Sequence, residues 1–525
     1  MPSPMDKIKH LVLVMMENRS FDHFFGFMKS PDYPIDGLNG NETNPASDGT
    51  QVKVSKNAQN AGDFWPDPGH DFSDVVEQIF NDRTVVNAGN AVMTGFVNNY
   101  QRHAPKKAKR IMKCFDPARI PVLTTLAKEY AICDQWFSSM PGPTLPNRAF
   151  VHFGTSLGRV DMAPDWGGPY KTIYELLDKE TPRVTAKIYY QDSTIAQTIT
   201  YLKNNQGRFF GTFKNFTDDC KNNKLPTYCV VEPKFNSDND FAANDQHPDH
   251  DVAEGETFLL DVYNAIRKNK AVWESTMLVI AYDEHGGLYD HVIPPATVSP
   301  DGRVNNVFGF KFERLGVRVP AVVVSPYIKR GTIISTAFDH TSVIATVRKL
   351  FTKGYPANAL TERDRLANTL DQCLTLTTPR ADTIQFPKPA PKPVAADVDM
   401  LRSAQPALMR GSAGIAAVAA PPAPKRKPKS KPFYQMSDFQ KAMLMQGLSM
   451  EHTLPTQLQS NKTLRSFKTE HDVSVYLQDL AKRLQIAAND SPPAAPPRSP
   501  KALTGQKPAA RPRSKKATLK KGGKK

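Results

Sequence analysis

The sequence predicts an α/β protein with a mostly parallel central sheet sandwiched by helices. Two apolar runs of the same design carry that prediction. Ile8–Met16 and Ser275–Tyr282 are each long enough for one buried strand and too short to span a membrane. The first stops abruptly on Glu17-Asn18 and the second on Asp283-Glu284. Between and after them, strand-like and helix-like patterns alternate, which argues for parallel strands joined by helical crossovers. Ligands of such sheets sit at the carboxyl ends of the strands. Glu17, Asn18, Asp283 and Glu284 are therefore expected along one edge.

Composition bounds the rest. At 525 residues, 40% hydrophobic and 9% aromatic, the chain can bury one large core with additions. The net charge of +16 belongs to the tail: residues 385–525 hold 26 Lys and Arg against 8 Asp and Glu, which leaves 42 basic and 44 acidic residues before them. The five cysteines have no CxxC spacing, so neither a disulfide framework nor a thiolate zinc site is expected; free thiols are favoured over a Cys220–Cys229 loop. No secretory leader is expected ahead of the first strand, and no run of 18 apolar residues exists. The expectation is a soluble protein of the cytoplasm, with leaderless export to the periplasm or extracellular space as the alternative.

Residues 29–69 are rich in Asn, Asp, Pro and Gly and read as a long, site-forming loop. It ends on Asp67-Pro68-Gly69-His70-Asp71, ahead of a helix over Phe72–Phe80 with Ser73 as the expected N-cap. Ile120–Tyr130 reads as a helix and Ala131–Phe137 as a strand. A turn rich in proline then places Thr144 just before a helix expected to begin near Pro146-Asn147-Arg148. A hydroxyl there lies near the positive end of a helix, where backbone amides favour phosphate, and Arg148 adds a bidentate donor. The plain alternative is a threonine that only caps the helix.

Thr172–Lys179 reads as a helix, and Val184–Tyr190 and Thr227–Glu232 as strands. The polar loop 244–251 carries His247 and His250, and a helical pattern follows over Gly255–Lys268. Val317–Ser325 reads as a further strand, and Phe338-Asp339-His340 opens a helix to about Leu350. The expected division is a catalytic domain over 1–384, a Pro/Ala/Lys-rich linker over 385–432, a small helical segment over 433–490 and a disordered basic tail over 491–525.

The candidate residues make a chemically complete set. Glu17, Asn18, Asp283 and Glu284 offer hard oxygen ligands, Thr144 a hydroxyl, and His70, His247 and His340 proton donors. Phosphate-ester cleavage needs a divalent cation, a nucleophile and a histidine to protonate the leaving oxygen. Oxygen ligation favours Mg, Ca or Mn without excluding Zn. The tail lacks the interleaved aromatics of single-strand readers; by charge alone it suits nucleic acid or an anionic membrane surface, or merely aids solubility.

Six stretches also carry a resemblance: VMMENRSFDHFFG (14–26), DPGHDF (67–72), FSSMPGPTLPNR (137–148), NDQHPDHD (244–251), AYDEHGGLYDHV (281–292) and FDHTSVIATV (338–347). In this order they resemble the motifs of the bacterial phosphoesterase family that contains the non-haemolytic-type phospholipases C and a related acid phosphatase. The resemblance runs over roughly residues 7–370. It implies an alkaline-phosphatase-like fold and one divalent metal held by Glu17, Asn18, Thr144, Asp283 and Glu284. It implies Thr144 as the nucleophile of a phospho-enzyme intermediate, His70 and His247 near the phosphate, and a family motif around His340. Asn147 and Arg148 are expected to bind phosphate. A phospholipid or another phosphate ester is the expected substrate, with phosphomonoesters as the alternative. The tail from Gln385 matches nothing in that family.

Overall fold

The computed structural model describes residues 3–387 and 430–490, apart from 62, 88, 164, 165 and 461. Most of the expected linker and all of the basic tail, 388–429 and 491–525, lie outside the described residues.

The strands in chain order are β1 (His10–Met16), β2 (Thr43–Pro45), β3 (Gln51–Lys53), β4 (Ala131–Cys133), β5 (Ala186–Tyr190), β6 (Phe210–Thr212), β7 (Tyr228–Val231), β8 (Thr276–Tyr282), β9 (Ala321–Val324) and β10 (Thr332–Ile334). Eight of them form one sheet in the order β10-β4-β9-β8-β1-β7-β5-β6, and β2 pairs β3 in a separate hairpin. All pairings in the large sheet are parallel except the two made by β9. The chain reaches β9 from β8 through a long loop excursion with no crossover helix, so β9 returns antiparallel.

The two apolar runs become the central neighbours β1 and β8. Residues 11–16 and 276–282 are all buried. Successive strand residues point to opposite faces, so both faces of the sheet are covered. Helices Pro121–Glu129, Thr144–Phe153, Val252–Arg267 and Thr341–Phe351 contribute Leu126, Ala149, Val262 and Val347 to the core shared with these strands. A second, smaller core gathers helices Phe72–Phe80 and Phe96–His103 with Phe310 and Phe312, and it carries the His70 loop.

Several expected boundaries shift for local reasons. Asp71, not Ser73, is the N-cap of Phe72–Phe80. The strand expected over 131–137 ends at Cys133. The helix after the proline turn starts at Thr144 itself, with Pro143 as its N-cap. The helical segment expected at the C-terminal side is present as Asp438–Glu451 and Glu470–Asp490, but it does not stand apart. Met436, Phe439, Met443, Leu444, Leu477 and Leu480 join the main core. Among the described residues no helix is long and apolar enough to cross a membrane, and all five cysteines are free and buried.

Candidate active site at the carboxyl ends of β1 and β8

Strands β1 and β8 run parallel with Met16 opposite Tyr282, so each strand releases its polar pair at the same level. Asn18 N–H donates to Asp283 Oδ1 at 2.9 Å, and Arg19 N–H to the Glu284 carbonyl at 3.0 Å. Asn18 holds φ 57°, a left-handed conformation that asparagine tolerates better than most residues. The structure thus brings together the four oxygen ligands expected from sequence.

Thr144 joins them. Its hydroxyl does not cap its own helix; Oγ1 donates to Asn18 Oδ1 at 3.1 Å, and the residue is buried at the helix's positive end. The turn before it is held by Asn147, whose Oδ1 accepts from Met140 N–H and whose Nδ2 donates to the carbonyls of Gly142 and Pro143.

The charge balance is unusual. Both Glu17 oxygens, Glu284 Oε1 and Asn18 Nδ2 are buried without a hydrogen-bond partner. Burial first, and then Asp245 and Asp283, push the Glu17 carboxyl well above the usual carboxylate range. Burial likewise raises Asp283, with Arg148 opposing. Buried oxygens of this kind, with nothing to donate to them, are the donor set a hard divalent cation needs. Asp283 fits that role through one lone pair: Oδ1 already accepts from Asn18 N–H and Glu284 N–H, and Oδ2 accepts from Arg148.

Two of the predicted histidines face this nest. Burial pulls His70 down, but Glu284 and Asp67 outweigh it and lift the imidazole to about 9; Nδ1 donates to the Pro68 carbonyl at 2.8 Å, leaving Nε2 free of that bond. His247 likewise overcomes burial through Asp67 and Asp249 and is held well above its ordinary value. Its Nδ1 contacts Asp249 Oδ1 at 2.7 Å, and its Nε2 has no hydrogen-bond partner but lies 3.3 Å from Asp67 Oδ2. Arg19 carries the His247 loop: Nε donates to the Gln246 carbonyl at 2.6 Å and Nη2 to the His247 carbonyl at 3.2 Å.

Three expected roles are corrected. His340 is buried behind the site, where its Nε2 meets the Asp283 carbonyl at 2.7 Å and Nδ1 accepts from Trp136 at 3.3 Å. Burial pushes it down to about 4, and both ring nitrogens are already bonded within the protein. Arg148 is engaged within the protein: Nε donates to Asp283 Oδ2 at 3.0 Å and Nη2 to the Met16 carbonyl at 3.1 Å, between the rings of Phe235 and Phe439. Asn147 spends its amide on the turn already described.

Among the described residues, a carboxylate–histidine cluster with metal-ligand spacing lies elsewhere, at Asp22, Asp290 and His291. The Arg318 guanidinium already fills it, with Nε 2.9 Å from Asp290 Oδ1 and Nη2 3.1 Å from Asp22 Oδ1, so the cluster is a buried ion-pair network. Asp67, Asp245 and Asp249 are the members that sequence reasoning passed over. Their signal was present, since each lies one to three residues from a predicted histidine.

The sequence pattern of the Phosphoesterase family matches residues 8–352, a span that contains every site residue above. The chain belongs to this family. The chain is 40% identical over 405 residues to non-specific phospholipase C6 of Arabidopsis thaliana, covering 73% of this chain and 76% of that protein. It is 26% identical over 426 residues to phospholipase C B of Mycobacterium tuberculosis, covering 69% and 76%. The resemblance expected among bacterial enzymes therefore extends to a plant relative with higher identity. Among solved structures, an alkaline phosphatase superfamily protein from Vibrio parahaemolyticus overlaps slightly, with TM-score 0.28 and 12% identity over 45% of this chain and 61% of that one.

Proposed function

We propose that this phosphoesterase is a metal-dependent hydrolase of phosphate esters of the phospholipase C type, acting through Thr144 on an alkaline-phosphatase-like scaffold. The carrying observation is the Thr144 hydroxyl bonded to Asn18 Oδ1 inside a nest of unpartnered buried oxygens. Glu17, Asn18, Asp283, Glu284 and Thr144 would hold one divalent metal. When bound, it supplies a lowered hydroxyl pKa and neutralises charge on the phosphoryl oxygens.

The chain's own residues do the rest. Thr144 Oγ1 releases its proton to solvent as it forms the new bond to phosphorus, and the bond from phosphorus to the leaving oxygen breaks. His247 Nε2 or His70 Nε2, each on a ring held protonated, passes its proton to that oxygen. Water then cleaves the phosphothreonine ester, releasing the phosphoryl product and restoring the hydroxyl. Asp249 orients the His247 ring, and Asn147 fixes the turn that presents Thr144.

The relatives' names favour a phospholipid substrate over a small monoester. Buried free thiols accord with a reducing compartment. The basic tail remains a candidate for an anionic surface. The test is turnover of p-nitrophenyl phosphorylcholine and p-nitrophenyl phosphate by the wild type and Thr144→Ala. The diester should be preferred, a chelator should stop turnover, and Thr144→Ala should lose roughly a thousandfold or more in kcat. Preference for the monoester would move the assignment to an acid phosphatase. Intact turnover by Thr144→Ala would remove the nucleophile.

A further inference from the structure

The family-matched span ends at residue 352, yet the described segment 430–490 reaches the site. Lys431 is the point of contact. Its Nζ lies 2.6 Å from Asp249 Oδ2 and 2.7 Å from His250 Nε2. An ammonium has three donors and no acceptor, so both contacts are donations from the lysine. His250 must then accept at Nε2 and carry its proton on Nδ1, which points at Asp245 Oδ1 at 2.6 Å. Asp249 keeps its other oxygen for the His247 Nδ1–H at 2.7 Å. Asp245 accepts from the His247 backbone N–H at 3.0 Å, and its carbonyl accepts from Glu17 N–H at 3.0 Å. One connected chain therefore runs from Lys431 through the 245–250 loop to His247 and Glu17.

Lys431 is itself pinned. Its carbonyl accepts from Glu470 N–H at 2.9 Å, and Ser430 Oγ accepts from His471 N–H at 2.7 Å, both at the start of helix Glu470–Asp490. Glu470 is fully buried and accepts from Ser237 N–H at 2.5 Å and from Gln440 Nε2 at 2.9 Å. Gln440 in turn donates to the Phe235 carbonyl at 2.7 Å, beside the Arg148 guanidinium that Phe235 and Phe439 enclose. Ser437, Asp438 and Lys441 line a 150 Å³ opening together with Asp67 and His70.

We propose that Lys431 is a positioning residue for His247, acting through Asp249 and His250, and that the helical pair 433–490 is therefore part of the hydrolytic site. This rests on the hydrolase reading above. Lys431 fixes the Asp249 carboxylate and the His250 tautomer, which together hold the His247 ring with its Nε2 beside Asp67 Oδ2.

The test compares full-length wild type, Lys431→Met and Lys431→Arg on p-nitrophenyl phosphorylcholine, with protease resistance of 433–490 reading whether the helices stay docked. Lys431→Met should lower kcat roughly ten- to a hundredfold with KM within about twofold, while Lys431→Arg recovers most of the loss. A Lys431→Met kcat within about twofold of wild type overturns the proposal. So does an equal loss in Lys431→Arg accompanied by release of the helices, which marks a merely structural anchor. If Lys431→Met alone releases them, the isosteric Asp249→Asn decides: the same kcat loss supports the proposal and an unchanged kcat sinks it. No turnover by the wild type would condemn the hydrolase reading instead. The His247 Nδ1–H resonance then reads the inference, being retained in Lys431→Arg and lost in Lys431→Met if it holds, and unchanged in both if it does not.

Discussion

Arg318 is fully buried and meets three carboxylates, with Asp36 Oδ2 3.8 Å from Nη1. Asp22 and Asp290 flank its guanidinium, and His291 Nδ1 lies 2.6 Å from Asp22 Oδ2. Ser20 adds a hydroxyl donated to the Tyr289 carbonyl at 2.6 Å. These contacts sew the turn after β1 to the turn after β8. A buried network of this kind costs desolvation and is sensitive to the loss of any member. Burial opposes the proton on His291, but Asp22 and Asp290 outweigh it and raise the imidazole to about 9. A raised folded pKa means the contribution is complete below the unfolded value of about 6.5 and is lost as pH rises through about 9. On the order of 2 kcal/mol should disappear across that window in urea unfolding, and His291→Gln should flatten the dependence there. An unaltered slope in the variant would contradict the pairing.

The decisive element is the Asp283-Glu284-His285-Gly286-Gly287 turn. Gly286 holds φ 64°, and a Cβ there would stand 2.4 Å from the Asn18 carbonyl; at Gly287, φ is 69° and the Cβ would meet the Gly69 carbonyl at 2.5 Å. Both glycines thus let the β8 turn press against the Asn18 and His70 loops. Gly286→Ala should cost about 2 kcal/mol or more in stability, and its remaining folded fraction should hydrolyse poorly because Asn18 is pushed off Thr144. Wild-type stability with wild-type kcat in that variant would mean the close approach is unimportant. That β1 and β8 deliver their polar pairs to one edge was legible because both runs are largely apolar and end on such pairs. What Asn147, Arg148 and His340 do was not. Residue type and spacing place a side chain on a turn, but the direction it takes follows from partners far away in the chain: Asp283 and the Met16 carbonyl for Arg148, Trp136 and the Asp283 carbonyl for His340.

Across the molecule, the mostly parallel sheet followed from alternating patterns, while the reversed β9 did not, because Val317–Ser325 reads the same in either direction. Short edge strands such as β6 and β10 carry too few residues to show a period. The docked helices Asp438–Glu451 and Glu470–Asp490 were visible as helices and invisible as part of the site. Lys431, which bonds Asp249 and His250, follows a proline-rich stretch, and composition cannot say where a linker delivers its far end. The sheet, the glycine turn and the added helices all converge on one hydroxyl. Acid-quenched turnover of p-nitrophenyl phosphorylcholine, followed by peptide mass spectrometry, tests that convergence directly. The account predicts a phosphocholine group on the peptide containing Thr144, absent from Thr144→Ala. A fully active enzyme with that peptide unmodified, or with the group on another residue, would contradict it.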